Sequence, residues 1–225
     1  MRDRTGLTEE SETESMTHES PLSTIWMHPR QTIRQILDDD PSLMVTPLIC
    51  TLGINSALTR AHAENLGDRA SVTLILIAAV LIGPLGGLFS IWLWSHLVRW
   101  TGSWIGGSAD RLMLKTAIAW GNVPFIAGTL LWLPIIAVFG PELFHSEMPQ
   151  MAAHPFLQSL MQAFVIAETL LYFYSVILLS NTIAEAQGFR SAWAGFANML
   201  IAAVIALVMI FVVVLTIVLL TGWGA

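Results

Sequence analysis

The apolar positions of this chain are gathered into five long stretches that short polar segments separate. Runs such as AAVIALVMIFVVVLTIVLL approach the ~20 apolar residues that an α-helix needs to cross hydrocarbon. Apolar and polar residues do not alternate there, as they do in a half-buried strand. The pattern therefore predicts an all-α, polytopic membrane protein. Its five transmembrane helices are expected at about 42–60, 72–98, 117–139, 156–183 and 193–222.

The first 24 residues follow a different pattern from the rest of the chain. They are polar, rich in Ser, Thr and Glu, and almost without large apolar residues. Such a segment cannot bury enough apolar surface to fold. We therefore expect a disordered cytoplasmic tail over 1–24 and a membrane domain over 25–225.

A short helix is predicted between the tail and the first span, in WMHPRQTIRQILDDDP (26–41). Pro29 suits the first helical turn, where its missing N–H costs nothing. The aspartates that end with Asp40 lie at the unfavourable end of the helix dipole. Pro41 then forces the preceding residue out of the α region. We expect this pre-helix to end there, where the chain turns into the bilayer.

The pre-helix is predicted to be amphipathic. Ile33 and Ile36 share one face, whereas Arg30 and Arg34 are four residues apart on another. Trp26 precedes the helix and is of a type that prefers the headgroup zone. One interpretation is an interfacial anchor with its arginines on lipid phosphates. The other is a docking surface for a cytoplasmic protein.

Composition and charge support the membrane assignment and set an orientation. The chain is 55% hydrophobic and 12% charged, with a net charge of −6, which argues against nucleic-acid binding. The single cysteine excludes a disulfide within one chain, and no metal or cofactor motif is present. An N-terminus in the cytoplasm places six Lys and Arg residues inside and two outside, as the positive-inside rule requires. The C-terminus is then outside.

Four polar residues inside the predicted spans are candidates for a functional role: Glu168, Tyr172, Asn122 and Asn55. Glu168 is the most informative, because a carboxyl near the middle of a span is costly and should face the bundle interior. Tyr172 follows it by four residues and lies on the same face. Glu168 is either a neutral acid that bonds a neighbouring helix or a proton or cation site in a pathway.

Three segments resemble the bacterial branch of the Ypt-interacting-protein (YIP) family. They are the pattern W-x-H-P-R-x-T-I-R-x-I-L-x-x-D-P before the spans, WGNVPFIAG (120–128) and AEAQGFRSAWAGFANML (184–200). The resemblance covers about 26–222 and implies a five-span membrane domain with a cytoplasmic N-terminus. Eukaryotic members bind prenylated Rab-type GTPases, but their aromatic-Gly-Pro signature near the first span is not evident here. The resemblance thus implies fold and topology more than activity.

The sequence therefore predicts a non-catalytic interaction or organising protein of YIP type in the bacterial inner membrane. Its contacts would use the pre-helix, with Arg190 in the last cytoplasmic loop as a further docking candidate. The expected partners are the lipid bilayer and a membrane or cytoplasmic protein, and a homo-oligomer is left open. The alternative is a small transporter or channel component that uses Glu168.

Overall fold

The computed structural model describes residues 20–221, with side chains to 220, and over these residues it contains helices and no strand. The α-helices, in chain order, are α1 Pro21–Met27, α2 Pro29–Asp39, α3 Val45–Ala63, α4 Val72–Trp104, α5 Arg111–Gly121, α6 Val123–Ala127, α7 Trp132–Phe139, α8 Pro149–Ala153, α9 Pro155–Gln187 and α10 Ala192–Thr221. Short 3-10 helices lie at Leu66–Asp68, Gly128–Leu131 and Gly140–Phe144. The all-α prediction is confirmed for this part of the chain.

Most of the predicted tail, residues 1–19, lies outside the described residues. Its last part is helical, because α1 begins at Pro21, inside the stretch predicted to be disordered. Ile25 of α1 is fully buried, which gives this short helix a packing contact that the composition of the tail did not suggest.

Four segments of the described chain are long and apolar enough to cross a membrane: Val72–Trp104, Val123–Phe144, Pro155–Gln187 and Ala192–Leu220. They correspond to the second to fifth predicted spans. The first predicted span, 42–60, forms helix α3 but is not among them. Asn55, Arg60 and His62 dilute the apolar character of that helix.

Helix α3 packs closely along α4 through glycines. A Cβ atom built on Gly53 would lie 2.1 Å from the carbonyl oxygen of Gly83, and one on Gly87 would lie 2.4 Å from that of Ile49. The pairing runs in opposite directions along the two helices, so α3 and α4 are antiparallel. Small residues allow two helix backbones to approach this closely.

The third predicted span, 117–139, is wrong as one continuous helix. Helix α5 ends at Gly121, α6 runs only from Val123 to Ala127, and the 3-10 turn Gly128–Leu131 precedes α7. Pro124 lies in the first turn of α6, where its missing N–H is tolerated. The break therefore starts at Asn122, two residues before the proline.

Hydrogen bonds join different loops at the two ends of the bundle. At one end, the amide of Ser108 donates to the carbonyl of Gln187 (3.2 Å), which joins the α4–α5 loop to the end of α9. At the other end, Asp68 accepts a hydrogen bond from the Ser146 amide (3.1 Å), which joins the α3–α4 loop to the segment before α8. We call the first the pre-helix end, because α2 also packs there against α5 and α9.

Candidate functional site

The pre-helix, α2, is held by the protein through its apolar face. Ile33 is 0% exposed and Ile36 2% exposed, and both belong to the larger of the two apolar cores. The sequence analysis predicted this face and its start at Pro29, but as an anchor it would turn the face to lipid. In the structure the same side chains pack against α5 and α9 instead.

Glu185, near the end of α9, binds both arginines of the pre-helix. Its Oε2 accepts a hydrogen bond from Arg30 Nε (2.9 Å), and its Oε1 accepts one from Arg34 Nε (2.6 Å). The Glu185 side chain is only 11% exposed, whereas those of Arg30 and Arg34 are 33% and 65% exposed. The hydrogen bond and the charge of Glu185 raise the pKa of the Arg34 guanidinium. Both arginines thus have a protein partner, and the anchor interpretation, in which they bind lipid phosphates, stays a prediction.

Arg30 also closes the end of α9. Its Nη2 donates to the carbonyl of Phe189 (2.7 Å), and its Nη1 donates to the carbonyl of Arg190 (3.1 Å). The last carbonyls of a helix lack partners in the helix itself, and a cation near them is favourable. Arg190, a docking candidate of the sequence analysis, thus contributes its backbone here, while its side chain is exposed.

Further contacts hold both ends of the pre-helix. Before it, the Trp26 ring stacks on Tyr174 of α9 with 5.7 Å between centroids, and the Tyr174 hydroxyl donates to the Trp26 carbonyl. After it, the Pro41 carbonyl accepts a hydrogen bond from Thr116 of α5. Asp40 accepts hydrogen bonds from Ser42, which lower the pKa of that carboxyl. Trp26 therefore packs against protein, and its position in the headgroup zone stays a prediction.

One face of the pre-helix remains free, and it is polar. We call it the docking face; it consists of Gln31, Arg34, Gln35, Asp38 and Asp39, all exposed. Because the opposite, apolar face of α2 is buried in the bundle, the described part of the chain exposes no broad apolar surface on this helix. The geometry suits contact with a polar partner better than insertion into lipid.

A buried polar network holds the neighbouring loop at the same end. Gln187 Nε2 donates to the Val98 carbonyl (3.2 Å), and its Oε1 accepts from the Ala109 amide (3.2 Å). Asn198 Nδ2 donates to the same Val98 carbonyl (3.1 Å), while its Oδ1 accepts from Thr101 Oγ1 (2.7 Å). These bonds tie α4, α9 and α10 together beneath the pre-helix end.

A second site lies farther along the bundle, around Glu168 of α9. A cavity of about 230 Å³ is lined by Asn55, Thr59, Phe125, Gly128, Glu168, Thr169, Leu171 and Tyr172. The structure thus brings three of the four predicted intramembrane candidates together: Glu168, Tyr172 and Asn55. Glu168 is partly buried and interacts electrostatically with His62 of α3.

Asn55 joins the cavity to the broken third span. Its Nδ2 donates to the Phe125 carbonyl (3.0 Å), and its Oδ1 accepts from the Trp132 indole N–H (2.9 Å). On the other side, Ser175 Oγ accepts from the Phe125 amide (2.8 Å). Side chains from α3 and α9 therefore satisfy the backbone groups that the break releases, which is how interrupted membrane helices are tolerated.

Asn122 is the candidate that the structure leaves outside the cavity. Its Nδ2 donates to the Ile118 carbonyl of its own helix (2.8 Å), and it is not among the lining residues. Its position at the end of α5 indicates a role in ending that helix.

Sequence reasoning missed Glu185 and Gln187 as site residues. Both lie beyond residue 183, where the fourth predicted span ends, whereas α9 continues to Gln187. An acidic residue near the end of a predicted span, with two arginines in a separate helix, was the available signal for Glu185. Nothing in the local pattern marks Gln187, because its partners are backbone groups about 80 to 90 residues away in the chain.

Comparison with known proteins gives a family. No curated protein and no solved structure matches the chain. The Yip1 domain profile matches residues 23–219, which includes the pre-helix and all four apolar spans. The match begins before α2 and ends near the end of α10, so it covers the elements that build both sites. The chain belongs to the Yip1 domain family.

Proposed function

We propose that this protein is a non-catalytic interaction or organising protein of the membrane, and that the docking face of α2 is its contact surface. The observation that carries the proposal is the burial of Ile33 and Ile36 within the bundle. A helix that serves only as an anchor needs its apolar face free for lipid. Here that face is occupied, and the exposed face combines Arg34 with Asp38 and Asp39.

The proposed topology has five crossings, with the N-terminus in the cytoplasm and the C-terminus outside, in a bacterial inner membrane. Helix α3 has 19 residues, about 28 Å at 1.5 Å per residue, close to the ~30 Å of hydrocarbon. It runs antiparallel along part of α4, which supports a crossing beside that span. Among the described residues, the pre-helix end carries most of the Lys and Arg residues, which supports a cytoplasmic position. They are Arg30, Arg34, Arg99, Arg111, Lys115 and Arg190.

The test is photo-crosslinking in intact cells from Gln35, on the docking face, and from Gln158, an exposed glutamine of α9. We expect a discrete protein adduct from Gln35 and none of the same mass from Gln158. The Asp38→Lys and Asp39→Lys pair should abolish that adduct, because it reverses the charge of the face without touching the buried residues. Lipid adducts alone at Gln35, or an adduct indifferent to the charge reversal, would contradict the proposal.

A second candidate function is transport or conduction, with Glu168 as a proton or cation site. The cavity at the interrupted third span supports it, because transporters form their sites where membrane helices are broken. The test is proton and cation flux in proteoliposomes. Flux that Glu168→Gln removes supports the candidate, and equal flux in wild type and variant contradicts it.

A further inference from the structure

The cavity around Glu168 has the lining of a site for one positive charge. Glu168 is its acidic residue, and no Lys, Arg or His lines it among residues 20–220. Within the described residues, Glu168 forms no hydrogen bond or ion pair. Its interaction with His62 is electrostatic, and the His62 Nδ1–H donates to the Leu143 carbonyl instead. A carboxylate in a mostly apolar stretch of α9 is expensive unless a cation pairs with it.

Two further oxygens of the lining are unengaged in the part of the chain that the structure describes. They are the hydroxyls of Thr59 and Tyr172, neither of which has a hydrogen-bond partner there. The other two polar side chains of the lining already have partners: Asn55, through both ends of its amide, and Thr169, which donates to Val165 (2.7 Å). Together with Glu168, the cavity therefore offers three groups able to accept hydrogen bonds.

Aromatic rings and the helix break complete the lining. The rings of Phe125 and Tyr172 meet edge to face with 6.3 Å between centroids, and aromatic faces attract organic cations. Gly128, at the start of the 3-10 turn Gly128–Leu131, also lines the cavity.

We propose that this cavity binds a primary alkylammonium ion, with Glu168 as its counter-charge. The three N–H donors of the ammonium group match the three free acceptors, and the alkyl chain matches the apolar remainder of the lining. A volume of about 230 Å³ corresponds to roughly eight waters at ~30 Å³ each, which is enough for a short chain. The proposal deepens the second candidate function, since it names the class of cation that Glu168 would hold.

Other ligand classes fit the lining less well. Hard metal ions take six or more oxygen ligands, and the described residues contain no cluster of three His, Cys, Asp or Glu that could hold a metal. A phospholipid headgroup would bring a phosphate, which needs an Arg or Lys partner that the lining lacks. A free amine is therefore the occupant that the chemistry favours.

The experiment measures binding of n-butylammonium to the full-length protein in maltoside micelles by titration calorimetry. Its matched neutral probe is 1-butanol, and tetramethylammonium is the cation without N–H donors. We expect saturable 1:1 binding of n-butylammonium, at least tenfold tighter than either comparison probe, because hydrogen bonds to charged groups are the strong ones.

Three variants and a control assign the binding to the cavity. Glu168→Gln should weaken n-butylammonium at least tenfold, and Tyr172→Leu should weaken it severalfold, more than Tyr172→Phe does through loss of the hydroxyl alone. Glu147→Gln, the same change at an exposed acid beyond the cavity, should leave affinity unchanged. Thermal unfolding of each variant establishes that the fold is intact.

The proposal is overturned if n-butylammonium does not bind, if 1-butanol binds as tightly, or if Glu168→Gln has no effect. Displacement by a short-chain phosphatidylethanolamine at equal affinity would overturn the assignment to a free amine. Flux in proteoliposomes is a separate readout. Amine binding without flux would support this proposal and contradict the transport function. Flux without amine binding would support the transport function and contradict this proposal.

Discussion

The attachment of the pre-helix to Glu185 makes a quantitative prediction for the variant Glu185→Gln. The variant removes the negative charge and one of the two acceptor oxygens, so that at most one of the bonds to Arg30 and Arg34 remains and neither pairs opposite charges, while glutamine keeps the shape of the side chain. The Arg30 bond, partly buried, is worth about 1.5–3 kcal/mol. The Arg34 bond is largely exposed and is worth about 0–1 kcal/mol. We expect the opening of α2 from the bundle to become easier by about 2 kcal/mol.

The assay is amide hydrogen exchange of the 26–40 peptide, with the protein in lipid nanodiscs. A change of about 2 kcal/mol corresponds to roughly 30-fold faster exchange through local opening. Arg30→Ala should have a larger effect than Arg34→Ala, because Arg30 also donates to two carbonyls at the end of α9. Glu147→Gln serves as the control and should leave exchange in this peptide unchanged.

Two results would refute the reasoning. One is exchange of the 26–40 peptide that changes less than about twofold in Glu185→Gln, since a bond of the stated size would then be absent. The other is an equal effect of Arg30→Ala and Arg34→Ala, since it would mean that the carbonyl bonds and the lower exposure of Arg30 contribute nothing. Higher salt should reduce the Arg34 effect more than the Arg30 effect, because exposed charges are screened more strongly.

Three further predictions follow from other contacts. Gly53→Ala should lower the midpoint of thermal unfolding through overpacking that costs about 1–3 kcal/mol or more, because the new Cβ meets the rigid backbone of Gly83. Gly86→Ala, which has open space at its Cβ, should leave the midpoint unchanged, and equal midpoints for the two variants would contradict the close approach of α3 and α4. Asn55→Ala should lower the free energy of unfolding in denaturant by about 2–4 kcal/mol, because two buried partners lose their hydrogen bonds. A decrease below about 0.5 kcal/mol would contradict the role of Asn55 in holding the backbone at the interruption. Hydrogen bonding by Ser146 lowers the pKa of Asp68, so this contact stabilises the loop fully at a pH above the unfolded-state pKa near 4, and the stabilisation is lost as the pH falls through the folded-state pKa. Hydrogen exchange of the 144–148 amides should become faster over that range, and this pH dependence should vanish in Asp68→Asn.

Much of the fold was accessible from local pattern. A stretch of about 20 apolar residues forms a helix in hydrocarbon because its backbone must satisfy its own hydrogen bonds, and this needs no knowledge of neighbours. The all-α class and the second, fourth and fifth spans were therefore predicted near their observed bounds. The pre-helix was also predictable, because Pro29 and Asp40 mark its ends locally. Resemblance on three segments indicated the family that the match over residues 23–219 confirms.

The tertiary structure decided what each of these elements touches. Periodicity identified the apolar face of the pre-helix, but only the packed bundle shows that protein, rather than lipid, covers Ile33 and Ile36. The partner of Arg30 and Arg34 lies about 150 residues away in the chain, and local sequence contains no information on such a pairing. The hydrogen-bond partners of the Phe125 backbone, just after the interruption at Asn122, are likewise Asn55 and Ser175 from two other helices. Contacts between distant segments arise from the packing of the whole chain, so the partners of the pre-helix and the Glu168 cavity became visible only in three dimensions.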